Sequence, residues 1–507
     1  MNAKIEMEPD IAISQALGRQ PRVVIVGAGM SGILSAIRVR EMGVENIVVL
    51  EKADRVGGTW RENTYPGLSC DVPAHMYTYS FAGNPEYSHR FAKGPEIFAY
   101  FDRVAKDYGI DKITRFNTEV TNAVYESGQW RLTTNSGDEL EADFVLCATG
   151  VLHHPRFPDI DGIDTFSGDM WHTAQWNHNV DISGKRVAII GTGSTATQVV
   201  SSITEKVGKL SLFQRSAQWI YPLFDKTYTD RDKDRLRTTP GLTKKLHDRY
   251  QSAFNQFFPR LVTGNKFIQW LVSWQCKRHL ETKVSDPVLR EKLRPDYQAG
   301  CKRLIIAGGF YEALQRDNAE LVTDGIKQIE ESGIRTVDGV LHECDVIVLA
   351  TGFHAHNFMR PMDMTGIGGL TLDEAWSQGA YAHKTITVPG FPNLFLLTGP
   401  NSPIGNFSLI GINELQLDYI GQLLEQWTSG NADEIEPKAE LTKEYNNRLQ
   451  NSMSSTIWMT GCKSWYFDDF GKLAMWPWSM DSFREEMAAP KLEEFELRKF
   501  EEKAQAA

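Results

Sequence analysis

The sequence predicts an α/β fold, because two segments share one pattern of strand, glycine-rich turn, helix and second strand. The first pattern begins at Arg22 and the second at Lys185. A strand, a helix and a further strand in that order form a parallel βαβ unit. The chain has 507 residues, which at roughly 150 residues per domain allows about three folding units. We therefore expect two Rossmann-like units and one further unit.

In the first unit, the β-branched strand 22–26 leads directly into Gly27, Gly29 and Gly32, and the second strand ends at Glu51. In such a turn the first glycine permits the bend, and the second lets a pyrophosphate approach the backbone. The helix that follows offers partial positive charge to the phosphates. A carboxylate after the second strand accepts hydrogen bonds from ribose hydroxyls. These four residues are therefore candidate dinucleotide ligands.

The second unit repeats the arrangement after the strand 185–190. Its turn supplies six candidate cofactor-binding residues: Gly191, Thr192, Gly193, Ser194, Thr195 and Ala196. Alanine in the third glycine position is a known variant that still permits close helix packing. The strand 209–213 follows and leads to Arg215 and Ser216, which we add to the candidates.

The two units differ at one equivalent position. Glu51 lies 24 positions after Gly27, and Arg215 lies 24 positions after Gly191. A carboxylate repels a 2′-phosphate, whereas a guanidinium binds one through two hydrogen bonds. We therefore predict FAD at the first site and NADPH at the second. The alternative is that Arg215 is only a surface cation at a strand end.

Two further strands, 144–147 and 346–349, each run into Ala-Thr-Gly. A strand that ends in a small residue and a glycine lets the backbone approach a cofactor or pass to another domain. We interpret both as crossovers between domains. The predicted domains are 1–152 and 385–507 for FAD, 153–224 and 301–384 for NADPH, and a helical subdomain at 225–300.

The helical segment carries large apolar residues at helical spacing. They are Leu246, Tyr250, Phe254, Phe257, Phe267, Trp270, Leu271 and Trp274. One interpretation is a helix for a membrane or a partner; the other, which we favour because charges interrupt every face, is a subdomain that buries this stripe. After Pro490 we expect a solvated helix or a frayed end.

Charge and composition exclude several classes of protein. Lys and Arg total 54 and Asp and Glu total 65, so the net charge of −11 argues against nucleic-acid binding. No apolar run approaches the roughly 18 residues of a spanning helix, so we expect no membrane insertion. The N-terminal 20 residues lack the apolar core of a secretory signal, and we expect a cytoplasmic protein.

The six cysteines are scattered singly and show no zinc-ligand spacing, so we expect no metal and reduced thiols. They are Cys70, Cys147, Cys276, Cys301, Cys344 and Cys462.

Two nucleotide sites imply electron transfer from a nicotinamide to a flavin and then to an acceptor. A flavin disulfide reductase needs two cysteines close after the first unit, and only one stands there. The remaining common acceptor is O2.

Two motifs resemble the type I Baeyer–Villiger monooxygenases. Residues 166–176 match the fingerprint F-x-G-x-x-x-H-x-x-x-W, although Asn177 stands where the family usually has Pro or Asp. Residues 57–71 match a second signature, small-G-x-W-x-x-x-x-aromatic-P-G-x-x-x-D. With the glycine turns, the crossovers and Gly399-Pro400-Asn401, the resemblance covers nearly the whole chain.

The resemblance implies that the protein converts ketones and O2 into esters or lactones through a C4a-peroxyflavin, with some sulfide oxidation. It implies that Arg303 stabilises the peroxide and that Asp71 orients Arg303. It also implies that Lys302 joins Arg215 at the NADPH 2′-phosphate. The residue-by-residue match further implies that Thr59, Trp60, Tyr77 and Val120 contact FAD.

Three further residues follow from the resemblance. His172 and Trp176 lie in the fingerprint, for which it implies a hinge between the nucleotide domains rather than a chemical role. Trp465 corresponds to a tryptophan on a loop that closes over NADPH. The alternative for Trp465 is a packed core aromatic.

Two rival functions stay open. A flavin monooxygenase that oxidises nitrogen or sulfur would not need an arginine against the peroxide, and Trp176 and Arg303 argue against it. A flavin redox or binding module without oxygenase activity would release only hydrogen peroxide. The expected partners are a small-molecule ketone and O2, in a monomer or small homo-oligomer.

Overall fold

Strands and helices alternate along most of the chain in the computed structural model, which describes residues 18–405 and 407–500. In chain order the strands are β1 Val23–Val26, β2 Ile47–Leu50, β3 Thr114–Arg115, β4 Val120–Glu126, β5 Gln129–Thr134, β6 Glu139–Ala142, β7 Phe144–Cys147, β8 Asp169–His172, β9 Arg186–Ile190, β10 Lys209–Phe213, β11 Ile220–Pro222, β12 Ile305–Ala307, β13 Ala319–Val322, β14 Ile326–Glu330, β15 Gly333–Thr336, β16 Leu341–Glu343, β17 Val346–Leu349, β18 Asp363–Thr365, β19 Leu394–Leu396, β20 Glu434–Pro437 and β21 Phe495–Arg498. The α-helices are α1 Met30–Glu41, α2 Thr59–Glu62, α3 Gly94–Asp107, α4 Ser194–Ile203, α5 Asp230–Thr238, α6 Leu242–Val262, α7 Lys266–Lys283, α8 Pro287–Lys292, α9 Phe310–Leu314, α10 Leu372–Ala375, α11 Leu409–Thr428, α12 Ala439–Met453 and α13 Met480–Glu486.

The first glycine turn belongs to a five-stranded parallel sheet with the strand order β19-β7-β1-β2-β3. Every residue of β1 and β7 is buried, as expected for strands of a parallel sheet that is covered on both faces. Strand β19 comes from residues 394–396, so a segment from the C-terminal quarter of the chain completes this sheet.

The second glycine turn belongs to another five-stranded parallel sheet, with the order β13-β10-β9-β17-β8. The predicted α/β class with two Rossmann-like units is therefore confirmed. The strands predicted at 144–147, 209–213 and 346–349 have those bounds in the structure.

The connection that follows the first Ala-Thr-Gly segment lies beside the second Ala-Thr-Gly segment, where the chain passes between the sheets. The backbone N–H of Arg156 donates to the carbonyl of Gly352 at 2.8 Å. The hydroxyl of Thr351 donates to the carbonyl of Arg156 at 2.5 Å. Hydrogen bonds between the two connections fix the position of one sheet relative to the other.

Helices α5 to α8 fill the interval in which we predicted a helical subdomain. The apolar residues on α6 are half-buried, but three aromatic residues on α7 are not buried as we expected. Phe267 is 66% exposed, Trp270 58% and Trp274 42%. Only the opposite side of α7 packs inward, through Val272 and Cys276. Helical spacing shows that residues share a face, but it does not show whether another element covers that face.

The prediction of a solvated helix or a frayed end after Pro490 is wrong for residues 495–498. Residues 495–498 form strand β21, which pairs antiparallel with β20. The alternation of Phe495 and Leu497 with charged residues is the period-2 pattern of a half-buried strand.

The prediction for the N-terminal 20 residues falls mostly on residues 1–17, which lie outside the described part. Across the described residues, no helix combines the length and the apolar character needed to cross a bilayer.

Candidate active site

A cavity of about 1850 Å³ lies where the strands of the two sheets end. Both glycine turns and both Ala-Thr-Gly segments line it. Small-molecule sites usually enclose about 300–1,000 Å³, so this cavity has room for more than one ligand. Ligands of open α/β sheets bind at the carboxyl ends of the strands, and this cavity has that location in both sheets.

Seventeen of the twenty residues predicted from sequence line this cavity. They are Gly27, Gly29, Glu51, Thr59, Trp60, Asp71, Tyr77, Val120, Gly191, Thr192, Gly193, Ser194, Thr195, Arg215, Ser216, Arg303 and Trp465. Gly32, Ala196 and Lys302 do not line it. A Cβ on Gly32 would overlap the carbonyl of Gly27, and Ala196 is fully buried, so both positions serve helix packing.

The first glycine turn holds its shape because Gly27 adopts φ +101°, and a Cβ there would lie 2.7 Å from the carbonyl oxygen of Ala148. Helix α1 begins at Met30 and has no acidic residue in its first turn. Its free N–H groups therefore present uncompensated partial positive charge at the cavity.

Glu51 is 4% exposed and is held from three sides. Its Oε2 accepts from the backbone N–H of Ala28 at 2.8 Å, and its Oε1 accepts from that of Ala53 at 3.0 Å. Arg61 Nη1 lies 3.0 Å from Oε1. Sequence analysis missed Arg61, although it follows Trp60 in the matched signature and a buried carboxylate requires a cation or several donors.

Trp60 and Tyr77 form a pair on the wall beside the first turn. The indole N–H of Trp60 donates to the hydroxyl of Tyr77 at 3.1 Å, and the ring centroids are 5.6 Å apart in an edge-on arrangement. Burial raises the pKa of Tyr77, so the phenol stays neutral. Thr59 and Val120 line the same part of the cavity.

Arg303 and Asp71 meet in the cavity wall. Arg303 donates to Asp71 Oδ2 from Nη2 at 2.6 Å and from Nε at 3.2 Å. The carboxylate of Asp71 raises the pKa of Arg303, which keeps the guanidinium charged. The side chain of Arg303 is 33% exposed and that of Asp71 20%, so both groups reach the cavity.

Tyr466 encloses the other side of Arg303. A Cβ on Gly405 would lie 3.1 Å from the Tyr466 hydroxyl and 3.5 Å from Arg303 Nη1, so both groups adjoin this glycine. Burial raises the pKa of Tyr466 to about 12. Sequence analysis missed Tyr466, because a lone aromatic residue carries no signal for such a contact.

The second glycine turn has an open side. Gly191 needs its positive φ of +118°, because a Cβ there would overlap the carbonyl of Ala350. Gly193 has φ −72°, which any residue adopts, and a Cβ there would meet no protein atom within 4 Å. Neither the backbone conformation nor packing within the protein therefore requires glycine at 193. A ligand that approaches the backbone closely does require it.

Arg215, Ser216 and Lys302 lie together beyond this turn. Lys302 Nζ donates to the Ser216 hydroxyl at 3.4 Å. Burial lowers the pKa of Lys302, and the neighbouring charge of Arg215 lowers it further. Among the described residues neither cation has an ion-pair partner, so the two like charges form a site that suits a phosphate group.

A side chain from the second unit connects the two units beside Asp71. Gln198 of α4 donates to the carbonyl of Ser69 at 3.0 Å, and its Oε1 accepts from the Tyr65 hydroxyl at 3.2 Å. Sequence analysis missed Gln198, because no motif distinguishes a glutamine in this helix. It positions the segment that carries Asp71 against the second sheet.

His172 and Trp176 of the fingerprint lie at the passage between the sheets and do not line the cavity, whereas Thr173 between them does. His172 ends β8, and its ring centroid lies 5.7 Å from those of Phe157 and Phe353, which flank the two connections. Trp176 packs edge-on against Trp171 at 5.5 Å.

Trp465 lines the cavity, and its carbonyl oxygen lies 2.9 Å from His356 Nε2. Three residues before it, Cys462 forms a disulfide with Cys301, with the Cα atoms 6.1 Å apart. The expectation of six reduced thiols is therefore wrong for these two residues. Their separation of 161 positions hides the pairing from any analysis of spacing. The bond joins the segment that carries Lys302 and Arg303 to the Trp465 segment.

Across residues 18–405 and 407–500, no cluster of His, Cys, Asp and Glu is arranged to hold a metal ion. The residues present do fit two dinucleotides. The first turn offers a helix N-terminus and a fixed carboxylate, and the second offers Gly193 and two unpaired cations.

Comparison with known proteins gives three kinds of match. Residues 20–362 match the family model described as flavin-binding monooxygenase-like. An uncharacterized monooxygenase of Mycobacterium tuberculosis is 46% identical over 95% of this chain and 97% of its own length. A Baeyer–Villiger monooxygenase of Streptomyces coelicolor is 38% identical over 94% of this chain and 92% of its own. The crystal structure of OTEMO with FAD and NADP has a TM-score of 0.84 at 26% identity, covering 94% of this chain and all of that one.

Proposed function

The chain belongs to the flavin-binding monooxygenase-like family, as a Baeyer–Villiger monooxygenase that uses FAD and NADPH, and from this premise we propose which of its residues carry the reaction. The overall change is ketone plus O2, NADPH and a proton to ester or lactone, NADP⁺ and water. When bound, the nicotinamide supplies a hydride and the reduced flavin activates O2.

The first sheet and its turn hold FAD in this proposal. Glu51 orients the ribose by accepting its hydroxyl hydrogen bonds, with Arg61 and two backbone N–H groups fixing the carboxylate. Trp60 and Tyr77 present a rigid wall to the flavin side of the cavity. We assign residues 1–152 and 385–507 to the FAD domain. Within the described residues, the pairing of β19 with β7 in the sheet of β1 supports this assignment.

The second sheet holds NADPH. Gly193 admits the pyrophosphate to the backbone at the start of α4, and Arg215 and Lys302 bind the 2′-phosphate. We assign residues 153–224 and 301–384 to the NADPH domain, with the helical subdomain at 225–300 inserted between them. The sheet β13-β10-β9-β17-β8 supports this assignment, whereas β18 at Asp363–Thr365 pairs with β4 of the FAD segment. The substrate occupies the space left between the two cofactors.

Arg303 supplies the positive charge that stabilises the activated oxygen. Asp71 accepts from Nε and Nη2, and Nη1 has no hydrogen-bond partner among the described residues. The N–H groups of Nη1 are therefore free to donate to an oxygen anion in the cavity. The observation that carries the proposal is that one carboxylate holds the guanidinium in place and leaves one of its nitrogens unpaired. A charge that is already in position stabilises a developing anion most strongly.

The test is Arg303→Ala, with Arg316→Ala as a matched control whose guanidinium pairs with Glu205 away from the cavity. NADPH reduces the bound flavin at a near wild-type rate in both variants. With linear and cyclic ketones and labelled O2, ester formation falls by about 100-fold or more in Arg303→Ala only.

Two outcomes contradict the assignment. Esters at a near wild-type rate from Arg303→Ala would remove Arg303 from the oxygenating centre. Wild-type enzyme that forms only hydrogen peroxide with every ketone, or that oxidises amines and sulfides but no ketone, would support one of the rival functions instead.

A further inference from the structure

One face of α7 presents three aromatic rings to solvent. Phe267, Trp270 and Trp274 are spaced by three and four positions and are 66%, 58% and 42% exposed. Their rings lie in a row, with centroids 6.0 Å and 6.3 Å apart and planes inclined by 29° and 17°. Soluble proteins rarely expose adjacent large apolar side chains without a binding role.

Cations flank these rings on the same helix. Lys266, Lys277 and Arg278 are exposed, and the Arg278 guanidinium lies 5.2 Å from the Trp274 ring centroid. Within the described part of the chain none of the three forms an ion pair. The exposed carboxylate of Glu281, seven positions after Trp274, is on the same side of the helix. The three cations and this carboxylate give the surface a net charge of +2, in contrast to −11 for the protein as a whole. We call the three aromatic residues and the three cations the α7 face.

We propose that the α7 face docks onto an anionic phospholipid surface. Helices that lie at the membrane interface combine aromatic residues, which enter the headgroup region, with Lys and Arg, which attract anionic lipids. A symmetric contact between two copies of this face would place like charges opposite each other. The charge therefore favours an anionic partner over a second copy of the chain.

The location of the α7 face gives this docking a use. Helix α6 packs against α7 and places Phe254 and Phe258, stacked 4.4 Å apart, in the cavity wall. Docking through α7 therefore brings a cavity-lining helix close to the bilayer, in which apolar ketones concentrate. This last step rests on the proposed function, whereas the docking itself does not.

The experiment is co-sedimentation of the FAD-loaded enzyme with vesicles of phosphatidylcholine alone and of phosphatidylcholine mixed with phosphatidylglycerol. We expect binding to the mixed vesicles, release by salt, and little binding to the neutral ones. Trp270→Ala/Trp274→Ala and Lys277→Glu/Arg278→Glu each weaken binding, the second by roughly 20-fold or more. Phe500→Ala, at a ring 49% exposed elsewhere, and Lys327→Glu are the matched controls and bind as wild type.

Flavin reduction by NADPH at the wild-type rate shows that each variant is folded, and it does not depend on ketone oxidation. Equal binding to both vesicle types, or undiminished binding by both double variants, would overturn the proposal. So would a concentration-dependent dimer that Trp270→Ala/Trp274→Ala abolishes, because the face would then serve a second copy. If the enzyme does not bind vesicles but is retained on immobilised polyglutamate, the proposal is also overturned. The α7 face would then be a binding site for an acidic protein.

Discussion

The guanidinium of Arg303 donates twice to one carboxylate oxygen of Asp71, across a separation of 232 residues. Asp71 follows the first glycine turn, and Arg303 precedes β12 beside the second sheet. The ion pair therefore connects the segments next to the two proposed cofactor sites and fixes the direction of the arginine. The same carboxylate raises the pKa of Arg303, so the guanidinium is charged at neutral pH.

Replacing Asp71 by Asn should separate flavin reduction from oxygenation. The asparagine amide has nearly the shape of the carboxylate but lacks its negative charge, so it holds the Arg303 guanidinium less firmly in position. We expect NADPH-driven flavin reduction to stay near wild type while ester formed per NADPH falls about 10-fold or more and hydrogen peroxide rises. Asp345→Asn is the control, since it breaks an Arg–Asp contact of 2.7 Å outside the cavity. Equal coupling in the two variants would contradict the positioning role.

Gly193→Ala tests the open side of the second glycine turn. The backbone at φ −72° accepts alanine, and the added Cβ meets no protein atom within 4 Å. We therefore expect an unchanged free energy of unfolding but a Kd for NADPH raised at least about 10-fold, because the methyl group occupies the space of the pyrophosphate. Gly191→Ala should instead destabilise the fold, since its Cβ would overlap the Ala350 carbonyl. Unchanged NADPH affinity in Gly193→Ala would mean that the pyrophosphate lies elsewhere.

Arg215→Ala should reduce the preference for NADPH over NADH. Arg215 and Lys302 are the cations beside Ser216, and only NADPH carries the 2′-phosphate that they would bind. Charge-assisted hydrogen bonds of this kind contribute enough that we expect the ratio of the two Kd values to change about 10-fold or more, with the Kd for NADH unaffected. Arg316→Ala, outside the cavity, should leave the ratio unchanged. A ratio that is the same in both variants would refute the assignment.

The sheets were predictable because parallel strands are short, apolar on both faces and followed here by glycine. The strand 144–147 and the strand 346–349 meet all three conditions, and their bounds agree with the prediction. The candidates in the two glycine turns and after the second strand of each unit also line the cavity, apart from Gly32 and Ala196, because the local pattern fixes their positions. The candidates that came from the family resemblance line it too, apart from Lys302; they are Thr59, Trp60, Asp71, Tyr77, Val120, Arg303 and Trp465. The sequence therefore predicts the positions of strands and turns where these depend only on nearby residues.

The differences arise where distant segments meet. Nothing in the spacing of Cys301 and Cys462 indicates a disulfide, and nothing near Gln198 indicates that it reaches Ser69. The exposure of Trp270 depends on whether another element covers α7. Helical periodicity carries no information about such a covering element. The strand at 495–498 could have been found from its alternation, but its partner β20 could not.

A buried histidine predicts how stability depends on pH. His75 is 1% exposed, and neither ring nitrogen has a hydrogen-bond partner among the described residues. Its ring lies against Tyr87 and Tyr228, and its carbonyl oxygen lies 3.1 Å from His247 Nδ1 on α6. Burial, together with the nearby His247, lowers the pKa of His75 to about 4.

Below its ordinary pKa of about 6.5, His75 takes up a proton in the unfolded chain but not in the folded one, so stability falls as the pH drops from 6.5 towards 4. The shift corresponds to a loss of about 2 kcal/mol by pH 5. His75→Phe keeps the ring and removes the titration, so the free energy of unfolding, measured by urea denaturation at pH 7.5 and pH 5, should fall about 2 kcal/mol less than in wild type. His178→Phe, at an exposed position, should keep the wild-type dependence. If His75→Phe loses as much stability as wild type, the acid sensitivity comes from other groups.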